Sequence, residues 1–236
     1  MKVAIFAGGE GSRLRADHPS IPKPLVRIGD RPIVWHIMKM YASQGFKDFV
    51  LLLGHKAEEF SILKDFIESD WKITLLNTGA DAMTGSRLFS AKSLLQDETF
   101  MLTYADGLAD IDFQKLLSFH QKNKKLVTAT GVNPRLPYGL MSLTGEDGVT
   151  SFQEKPTLES MWVNGGFFVC EPTIFTYLAD DKQLAFEKGP LEKIAAANEL
   201  VCHKHRGFWA CMDHPQDQQR LNDLWSEKKA PWKKWS

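Results

Sequence analysis

The 236-residue chain is long enough to bury a sizeable core in one α/β domain without a disulfide framework. Its 29 lysines and arginines equal its 29 aspartates and glutamates, so composition gives no general attraction to nucleic acid or to a membrane surface. Three unevenly spaced cysteines favour a reducing compartment, and no apolar run suits a membrane span or a signal peptide. These features predict a soluble cytoplasmic protein with no nucleic acid and no membrane as partner.

Strand-like and helix-like patterns alternate along the first half of the chain. Continuous apolar runs predict buried strands at residues 3–7, 49–53, 73–76, 100–104 and 126–130. Apolar positions with helical spacing predict amphipathic helices around residues 33–41 and 113–120. This alternation predicts an α/β fold with a mixed, mostly parallel, Rossmann-like sheet and helices on both faces. Ligands of such sheets bind at the carboxyl ends of the strands.

The second half of the chain has shorter strand patterns, at residues 140–143, 149–153 and 162–169. Glycines at both ends of residues 145–148 predict a hairpin between the first two of these strands. We therefore expect one domain over residues 1–236, in which residues 1–135 form one half. Residues 136–236 add a small β-rich subdomain to the same sheet and end in a helix from residue 215 to 225.

A glycine-rich loop, Ala7-Gly8-Gly9-Glu10-Gly11-Ser12-Arg13, directly follows the first predicted strand. Glycines there let backbone N–H groups approach phosphate oxygens, and Arg13 adds a planar cation. Lys23 follows between two prolines, which restrict its backbone. The loop lacks the Gly-Lys-Ser/Thr of a P-loop, and Leu14 stands where the dinucleotide fingerprint needs its third glycine. The loop therefore indicates a phosphate site of another kind.

Longer blocks of sequence identify a family. The glycine loop, Ser12-Arg13-Leu14 and Pro22-Lys23-Pro24 resemble the sugar-phosphate nucleotidylyltransferases, and more narrowly the glucose-1-phosphate cytidylyltransferases. The narrower resemblance covers nearly the whole chain and lies in residues 35–41, 83–88, 104–110, 151–156, 164–169, 207–209 and 230–233.

The resemblance implies the nucleotidyltransferase fold, a sugar-side role for the β-rich subdomain, and transfer of a cytidylyl group from CTP to a sugar phosphate with Mg²⁺ as cofactor. In-line displacement needs charge neutralisation and alignment but no general base, because the attacking oxygen is already anionic. The implied catalytic residues are Arg13, Lys23, Asp106 and Asp213, of which Asp106 and Asp213 hold the metal. The implied nucleotide site is Phe6, Ala7, Gly8, Gly9, Glu10, Gly11, Ser12, Thr78, Gly79, Arg87 and Ala105, and the implied sugar-phosphate site is Glu154, Lys155, Asn164 and Gly165.

Several of these residues have simpler interpretations. Asp106 and Asp213 have the positions of helix caps or turn residues, and Arg87 that of a surface arginine opening a helix over residues 87–95. Glu154 and Lys155 are typical of exposed hairpin charges. The zinc hypothesis raised by Cys202, His203, His205, Cys211 and His214 is disfavoured, because alternation along a strand separates them and no Cys-x-x-Cys is present. The tail residues Trp225, Trp232 and Trp235 either cap the core or form a subunit contact.

The chain also departs from the family. Ser12, Ala105 and Ser86 replace a usual threonine and two glycines, and Ile21 stands where a lysine often begins the motif. Between Trp71 and Asn77 it lacks about twenty residues that typical members carry, a length at which loops are usually functional. The acceptor sugar and the expected homo-oligomer are thereby left open. UTP or dTTP as donor, another phosphorylated acceptor, and a catalytically silent regulatory subunit remain alternatives.

Overall fold

The computed structural model describes residues 1–9, 21–136 and 138–235. Buried apolar runs form strands here because extended chains that are covered on both faces need no polar side. The strands of the described residues are β1 (Lys2–Phe6), β2 (Arg27–Ile28), β3 (Arg31–Pro32), β4 (Asp48–Leu53), β5 (Lys72–Asn77), β6 (Phe100–Tyr104), β7 (Gly107–Ala109), β8 (Val127–Val132), β9 (Leu140–Thr144), β10 (Gly148–Gln153), β11 (Val163–Cys170), β12 (Leu200–His205) and β13 (Trp209–Cys211).

Six α-helices connect these strands in the described part of the chain. They are α1 (Ile33–Ala42), α2 (Thr84–Ser90), α3 (Lys92–Leu95), α4 (Phe113–Asn123), α5 (Pro190–Ala196) and α6 (Pro215–Ser226). Within the described residues, no helix combines the length and the apolar composition that a membrane crossing needs.

A seven-stranded sheet in the order β12-β8-β11-β6-β1-β4-β5 forms the centre of the fold. Six of its strands have a parallel neighbour: β5, β4, β1 and β6 on one side of the sheet, and β8 and β12 on the other. Strand β11 lies between β6 and β8 and runs antiparallel to both. The predicted mixed, mostly parallel sheet is therefore confirmed. The sequence patterns gave no sign of the reversed direction of β11.

Both faces of the sheet are covered at β1, β4 and β6, as the continuous apolar strands predict. The prediction of a buried strand is wrong for the edge strand β5, whose residues are intermediate or exposed. Along β1, Val3 and Ile5 belong to one buried cluster, and Ala4 and Phe6 belong to the other. This division follows from the alternation of side chains along a strand. Helices α1, α4 and α6 contribute buried residues to the first cluster, and α2, α3 and α5 to the second.

The second half of the chain joins the central sheet only in part. Strands β11 and β12 extend it, whereas β9 and β10 pair antiparallel with each other as a separate two-stranded sheet. Their connection holds Gly145 at φ +60°, which confirms the predicted hairpin. The expectation that this whole half adds to one sheet is thus wrong for the hairpin, because no sheet partner lies beside it in the described residues.

The C-terminal tail packs onto helix α1 around a buried histidine. Trp232 is 1% exposed and donates its indole N–H to His36 Nδ1 at 3.4 Å. His36 Nε2 lies 2.9 Å from Ile28 O, and the Trp225 ring meets His36 edge-on at 4.6 Å. These contacts assign the proton to Nε2. Of the two roles predicted for the tail tryptophans, the core cap is confirmed.

Acid should unfold the protein partly through His36. Burial lowers the pKa of His36 from 6.5 to about 4. As the pH falls below 6.5, His36 takes up a proton in the unfolded chain, whereas in the folded chain it does so only near pH 4. The stability that neutral His36 contributes is therefore fully present above pH 6.5 and is lost as the pH falls from 6.5 towards 4. The loss attributable to His36 is about 3 kcal/mol.

Urea unfolding at pH 7 and pH 4.5 would measure this loss, with His36→Gln as the matched variant. We expect the free energy of unfolding to fall more steeply in the wild type than in the variant, since carboxylate titration is common to both. Parallel pH profiles would contradict the assignment.

Candidate active site

A cavity of about 620 Å³ opens at the carboxyl ends of β1 and β6. The end of β1 and the start of the glycine loop supply one wall, and residues 80–87 supply another. Asp106 belongs to the lining and lies two residues after the end of β6. The described lining comprises Phe6, Ala7, Gly8, Gly9, Lys23, Pro24, Ala80, Asp81, Ala82, Met83, Thr84, Arg87, Tyr104, Ala105, Asp106 and Glu187. We call it the nucleotide-side cavity.

Lys23 bridges the two aspartates that the sequence singled out. Its Nζ lies 2.7 Å from Asp106 Oδ2 and 2.7 Å from Asp213 Oδ1. Burial alone would lower the pKa of Lys23, but the neighbouring carboxylates outweigh it and raise the pKa above its ordinary value. The ammonium therefore stays charged, and the described part of the site is a cation held between two anions.

Backbone pairing explains why residues so distant in sequence meet. Strands β7 and β13 pair antiparallel, and Met212 donates its N–H to Asp106 O at 2.9 Å. The carboxylate of Asp217 accepts from the N–H groups of Asp213 and His214, which fixes the start of α6. Neither predicted metal residue is a helix cap, because His214 takes that position at α6 and Asp112 at α4.

Asp106, Cys211 and Asp213 form the one group in the described residues that could hold a metal ion. Their potential ligand atoms all lie within 4.8 Å of one another. Burial, and next the charge of Asp106, raises the pKa of the Cys211 thiol well above its usual range, so the sulfur keeps its proton. The two carboxylates suit a hard ion such as Mg²⁺, which takes few protein ligands and keeps several waters, whereas a protonated thiol is a poor ligand for softer metals. The residues present therefore fit the ion that the resemblance implies.

A second cavity, of about 340 Å³, lies on the other side of Asp106. Asn164 and Gly165 at the start of β11 form its far wall, and Trp209 fixes that wall by donating its indole N–H to Gly165 O at 2.8 Å. The described lining comprises Thr103, Tyr104, Asp106, Gly107, Asn164, Gly165, Gly166, Trp209, Cys211 and Asp213. We call it the acceptor-side cavity, and it shares Tyr104 and Asp106 with the first cavity.

Arg87 lies inside helix α2 and is 4% exposed, so the surface interpretation is wrong. The predicted helix over residues 87–95 in fact begins three residues earlier and divides into α2 and α3. One guanidinium nitrogen, Nη1, donates to Leu53 O at 2.9 Å, and the other, Nη2, donates to Gly8 O at 3.0 Å. Its remaining partners are Thr78 Oγ1, Gly79 O and Ala80 O. Arg87 therefore joins three loops of the nucleotide-side cavity.

This arginine also explains a glycine of the loop. A Cβ on Gly8 would lie 2.3 Å from Arg87 Nη1 and 2.7 Å from the backbone nitrogen of Gly54. No side chain larger than hydrogen fits there without moving the guanidinium. Close packing, in addition to phosphate approach, thus requires Gly8.

The predicted site residues separate into four groups. Phe6, Ala7, Gly8, Gly9, Lys23, Arg87, Ala105 and Asp106 line the nucleotide-side cavity, and Asn164, Gly165 and Asp213 line the acceptor-side cavity. Thr78 and Gly79 lie behind the first wall as partners of Arg87. Glu154 and Lys155 follow β10 as exposed residues outside both cavities, so the structure does not bring them to the site and their role stays a prediction. Glu10, Gly11, Ser12 and Arg13 lie outside the described residues.

Sequence reasoning missed three cavity residues. Glu187 stands in a segment without periodicity or motif. Thr84 and Tyr104 were counted only within resemblance blocks, and Tyr104 also as the end of a strand. Glu187 accepts hydrogen bonds from Tyr104 OH at 2.5 Å and Thr84 Oγ1 at 2.7 Å. Of these three residues, only Tyr104 could have been found from the sequence, because it lies two residues before Asp106.

The disfavoured zinc hypothesis finds no support in the described residues. Cys202 is exposed, whereas His203 packs its ring against Phe119 at 5.3 Å. His205 Nε2 lies 3.0 Å from Asp110 Oδ1. These histidines have structural partners, as expected for edge residues.

Comparison with known proteins identifies the class. The family model described as nucleotidyl transferase matches residues 2–228, and the chain belongs to this family. It is 39% identical to the probable glucose-1-phosphate cytidylyltransferase of Bacillus subtilis and 37% identical to the glucose-1-phosphate cytidylyltransferase of Salmonella typhimurium, with full coverage of both chains in each case. The resemblance drawn from the sequence is therefore confirmed.

The fold agrees with this assignment. A crystal structure of a putative glucose-1-phosphate thymidylyltransferase from Bacillus anthracis superposes with a TM-score of 0.74 at 18% identity, covering 95% of this chain and 94% of the other. The alignment with the Bacillus subtilis relative spans 259 positions, whereas this chain has 236 residues. About twenty aligned positions therefore have no residue in this chain, and their location between Trp71 and Asn77 stays a prediction.

Replacing Arg87 by lysine should weaken both the fold and nucleotide binding. A single ammonium cannot satisfy the five acceptors, and each buried acceptor left without a partner costs about 1–3 kcal/mol. Urea unfolding should show a loss of about 2 kcal/mol or more, and calorimetric titration should show weaker nucleotide binding. Arg220→Lys, at an exposed position of α6, is the matched control. An Arg87→Lys protein as stable as this control would contradict the role.

Proposed function

We propose that the protein transfers a cytidylyl group from CTP to α-D-glucose 1-phosphate, giving CDP-glucose and pyrophosphate. The observation that carries the proposal is the Lys23 bridge between Asp106 and Asp213, at the boundary of two cavities. A reaction that joins two phosphorylated substrates needs its charged groups at such a boundary. The names of the relatives with 37–39% identity support the choice of substrates.

Each group of the site has a role in this reaction. Gly8 and Gly9 offer backbone N–H groups to the triphosphate, and Lys23 offsets negative charge as pyrophosphate departs. Asp106 and Asp213 would hold Mg²⁺, which when bound neutralises phosphate charge and helps to align the reacting groups. Asn164 and Gly165 bind the sugar in the acceptor-side cavity. Glu154 and Lys155 are proposed as further sugar-phosphate ligands on the resemblance alone.

Alignment replaces acid–base chemistry in this site. The attacking phosphate oxygen is already an anion, so holding it in line with the α-phosphorus is the main task of the protein. The half-buried ring of Tyr104 and the carboxylate of Asp106 lie between the two cavities and separate the two substrates. Arg87 acts behind the nucleotide wall, through the loops that it joins.

Two alternatives concern the substrates, and one concerns the class of protein. UTP or dTTP as donor, or another phosphorylated acceptor, would use the same charged groups. A silent regulatory subunit would not need Lys23, Asp106 and Asp213 in contact, so their geometry favours the enzyme. The shorter chain leaves the identity of the acceptor open but not the triphosphate site, because the missing segment would follow Trp71, which is not among the residues proposed to bind the triphosphate.

The cellular setting and assembly are part of the proposal. We place the protein in the cytoplasm, where its CDP-sugar would supply lipopolysaccharide O-antigen or capsule synthesis. We also propose a homo-oligomer, because Met141, Leu143, Val149 and Phe152 expose one apolar face of the β9–β10 hairpin, each more than half exposed. Light scattering after size exclusion should give a multiple of 26.7 kDa, and a monomer at micromolar concentration would contradict this.

Pyrophosphate release tests the reaction directly. Purified protein with Mg²⁺ would be given each of CTP, UTP, dTTP and GTP with a panel of sugar 1-phosphates. We expect the highest kcat/KM with CTP and α-D-glucose 1-phosphate. Release with UTP or dTTP but not CTP would exclude the cytidylyl assignment, and no release with any pair would exclude the enzyme.

The same assay with Asp213→Asn tests the site. Loss of one carboxylate ligand should cut turnover by at least about a hundredfold, because the charge stabilisation by the metal is lost. Asp180→Asn removes an exposed carboxylate outside both cavities and should leave turnover unchanged. Equal activity of the two variants would remove Asp213 from the metal site.

A further inference from the structure

Tyr104 is the side chain other than Asp106 that lines both cavities. It is the last residue of β6 and lies two positions before Asp106. Its phenol hydroxyl acts as a hydrogen-bond donor to a carboxylate, that of Glu187.

A chain of hydrogen bonds passes through this hydroxyl. Tyr104 OH donates to Glu187 Oε1 at 2.5 Å, and Thr84 Oγ1 donates to Glu187 Oε2 at 2.7 Å. The side chain of Asn164 lies within reach of the same hydroxyl, and Asn164 Oδ1 accepts from Gly166 N at 2.9 Å. Because the phenol hydrogen is already donated to Glu187, only the Asn164 NH₂ can donate to the phenol oxygen. Tyr104 thus links the acceptor-side wall to the nucleotide-side wall.

The ring of Tyr104 is held independently of its hydroxyl. It packs against Phe6 at 5.6 Å and edge-on against Phe168 at 6.1 Å between ring centroids. A Cβ on Gly166, which has φ +81°, would lie 2.7 Å from the ring. Removing the hydroxyl should therefore break the hydrogen-bond chain while leaving the packing in place.

We propose that Tyr104 is a positioning residue, which fixes Asn164 and the acceptor-side wall relative to Glu187 on the nucleotide side. The proposal rests on the two-substrate function given above. In-line displacement depends steeply on alignment, and a misplacement of about 1 Å can cost about a hundredfold in rate. Loss of the hydroxyl should therefore harm use of the acceptor much more than binding of the nucleotide.

The test is steady-state kinetics of Tyr104→Phe, varying each substrate in turn. We expect kcat/KM for the sugar phosphate to fall about tenfold or more, while KM for the nucleotide changes less than about twofold. Tyr177→Phe removes a phenol hydroxyl at the end of the 3₁₀ helix Pro172–Tyr177, away from both cavities, and should match the wild type. Urea unfolding of both variants would show whether any loss is one of stability.

A double variant separates positioning from a general structural effect. If Tyr104 acts through Asn164, then Tyr104→Phe combined with Asn164→Ala should be hardly worse than Asn164→Ala alone. Additive losses, an equal rise in KM for the nucleotide, or wild-type kinetics of Tyr104→Phe would each overturn the proposal.

Measurements on the wild-type protein separate a failure of this proposal from a failure of the proposed function. The comparison uses whichever nucleotide and sugar 1-phosphate release pyrophosphate, so an error in CTP or glucose appears in the wild type alone. If no pair reacts, the enzyme proposal has failed, and calorimetric titration with CDP-glucose supplies the comparison. Binding about tenfold weaker in Tyr104→Phe would support the positioning role, and equal binding would overturn it.

Discussion

The ion pairs of Lys23 with Asp106 and Asp213 are the constraint on which the site depends. They join three chain segments that the sequence separates by 83 and 190 positions. Two carboxylates so close together would repel each other and favour protonation without a cation between them. The ammonium removes that repulsion, and the prolines on either side of Lys23 limit the ways in which its backbone can move. The opposite charges at this site therefore stabilise one another in the absence of substrate.

The sheet makes this contact possible. Buried parallel strands end at one edge, so the loops after β1 and β6 meet there. The short β7–β13 ladder then extends the chain past Asp106 and sets Asp213 opposite it. Arg87 fixes the loops on the nucleotide side, and Trp209 fixes the wall on the acceptor side. The charged centre therefore stands on rigid elements, as catalysis by alignment requires.

Much of this arrangement followed from the sequence. Strands that are buried on both faces leave continuous apolar runs, which is why β1, β4 and β6 were found within one residue of their ends. The glycine loop and the bracketed Lys23 gave the phosphate chemistry, and the family resemblance supplied the two aspartates. Every described residue predicted for the triphosphate lies at the cavity or directly behind it.

The rest depended on contacts that no local pattern records. The reversed direction of β11 and the separate β9–β10 hairpin are matters of pairing between distant segments. A surface position of Arg87 stayed open beside its predicted place in the nucleotide site, because helical spacing does not show which loops will close over a helix. Glu187 carries no motif, and its place in the cavity comes only from its bonds to Thr84 and Tyr104. Sequence predicted the charged centre, and tertiary structure was needed for the groups that hold it.

The most direct test of the central claim is a crystal structure grown with Mn²⁺ and a non-hydrolysable CTP analogue. Mn²⁺ replaces Mg²⁺ at oxygen ligands and gives an anomalous signal that locates it. The account predicts one anomalous peak at the carboxylates of Asp106 and Asp213, with the nucleotide in the cavity of about 620 Å³. A metal bound elsewhere, or a nucleotide outside that cavity, would contradict it.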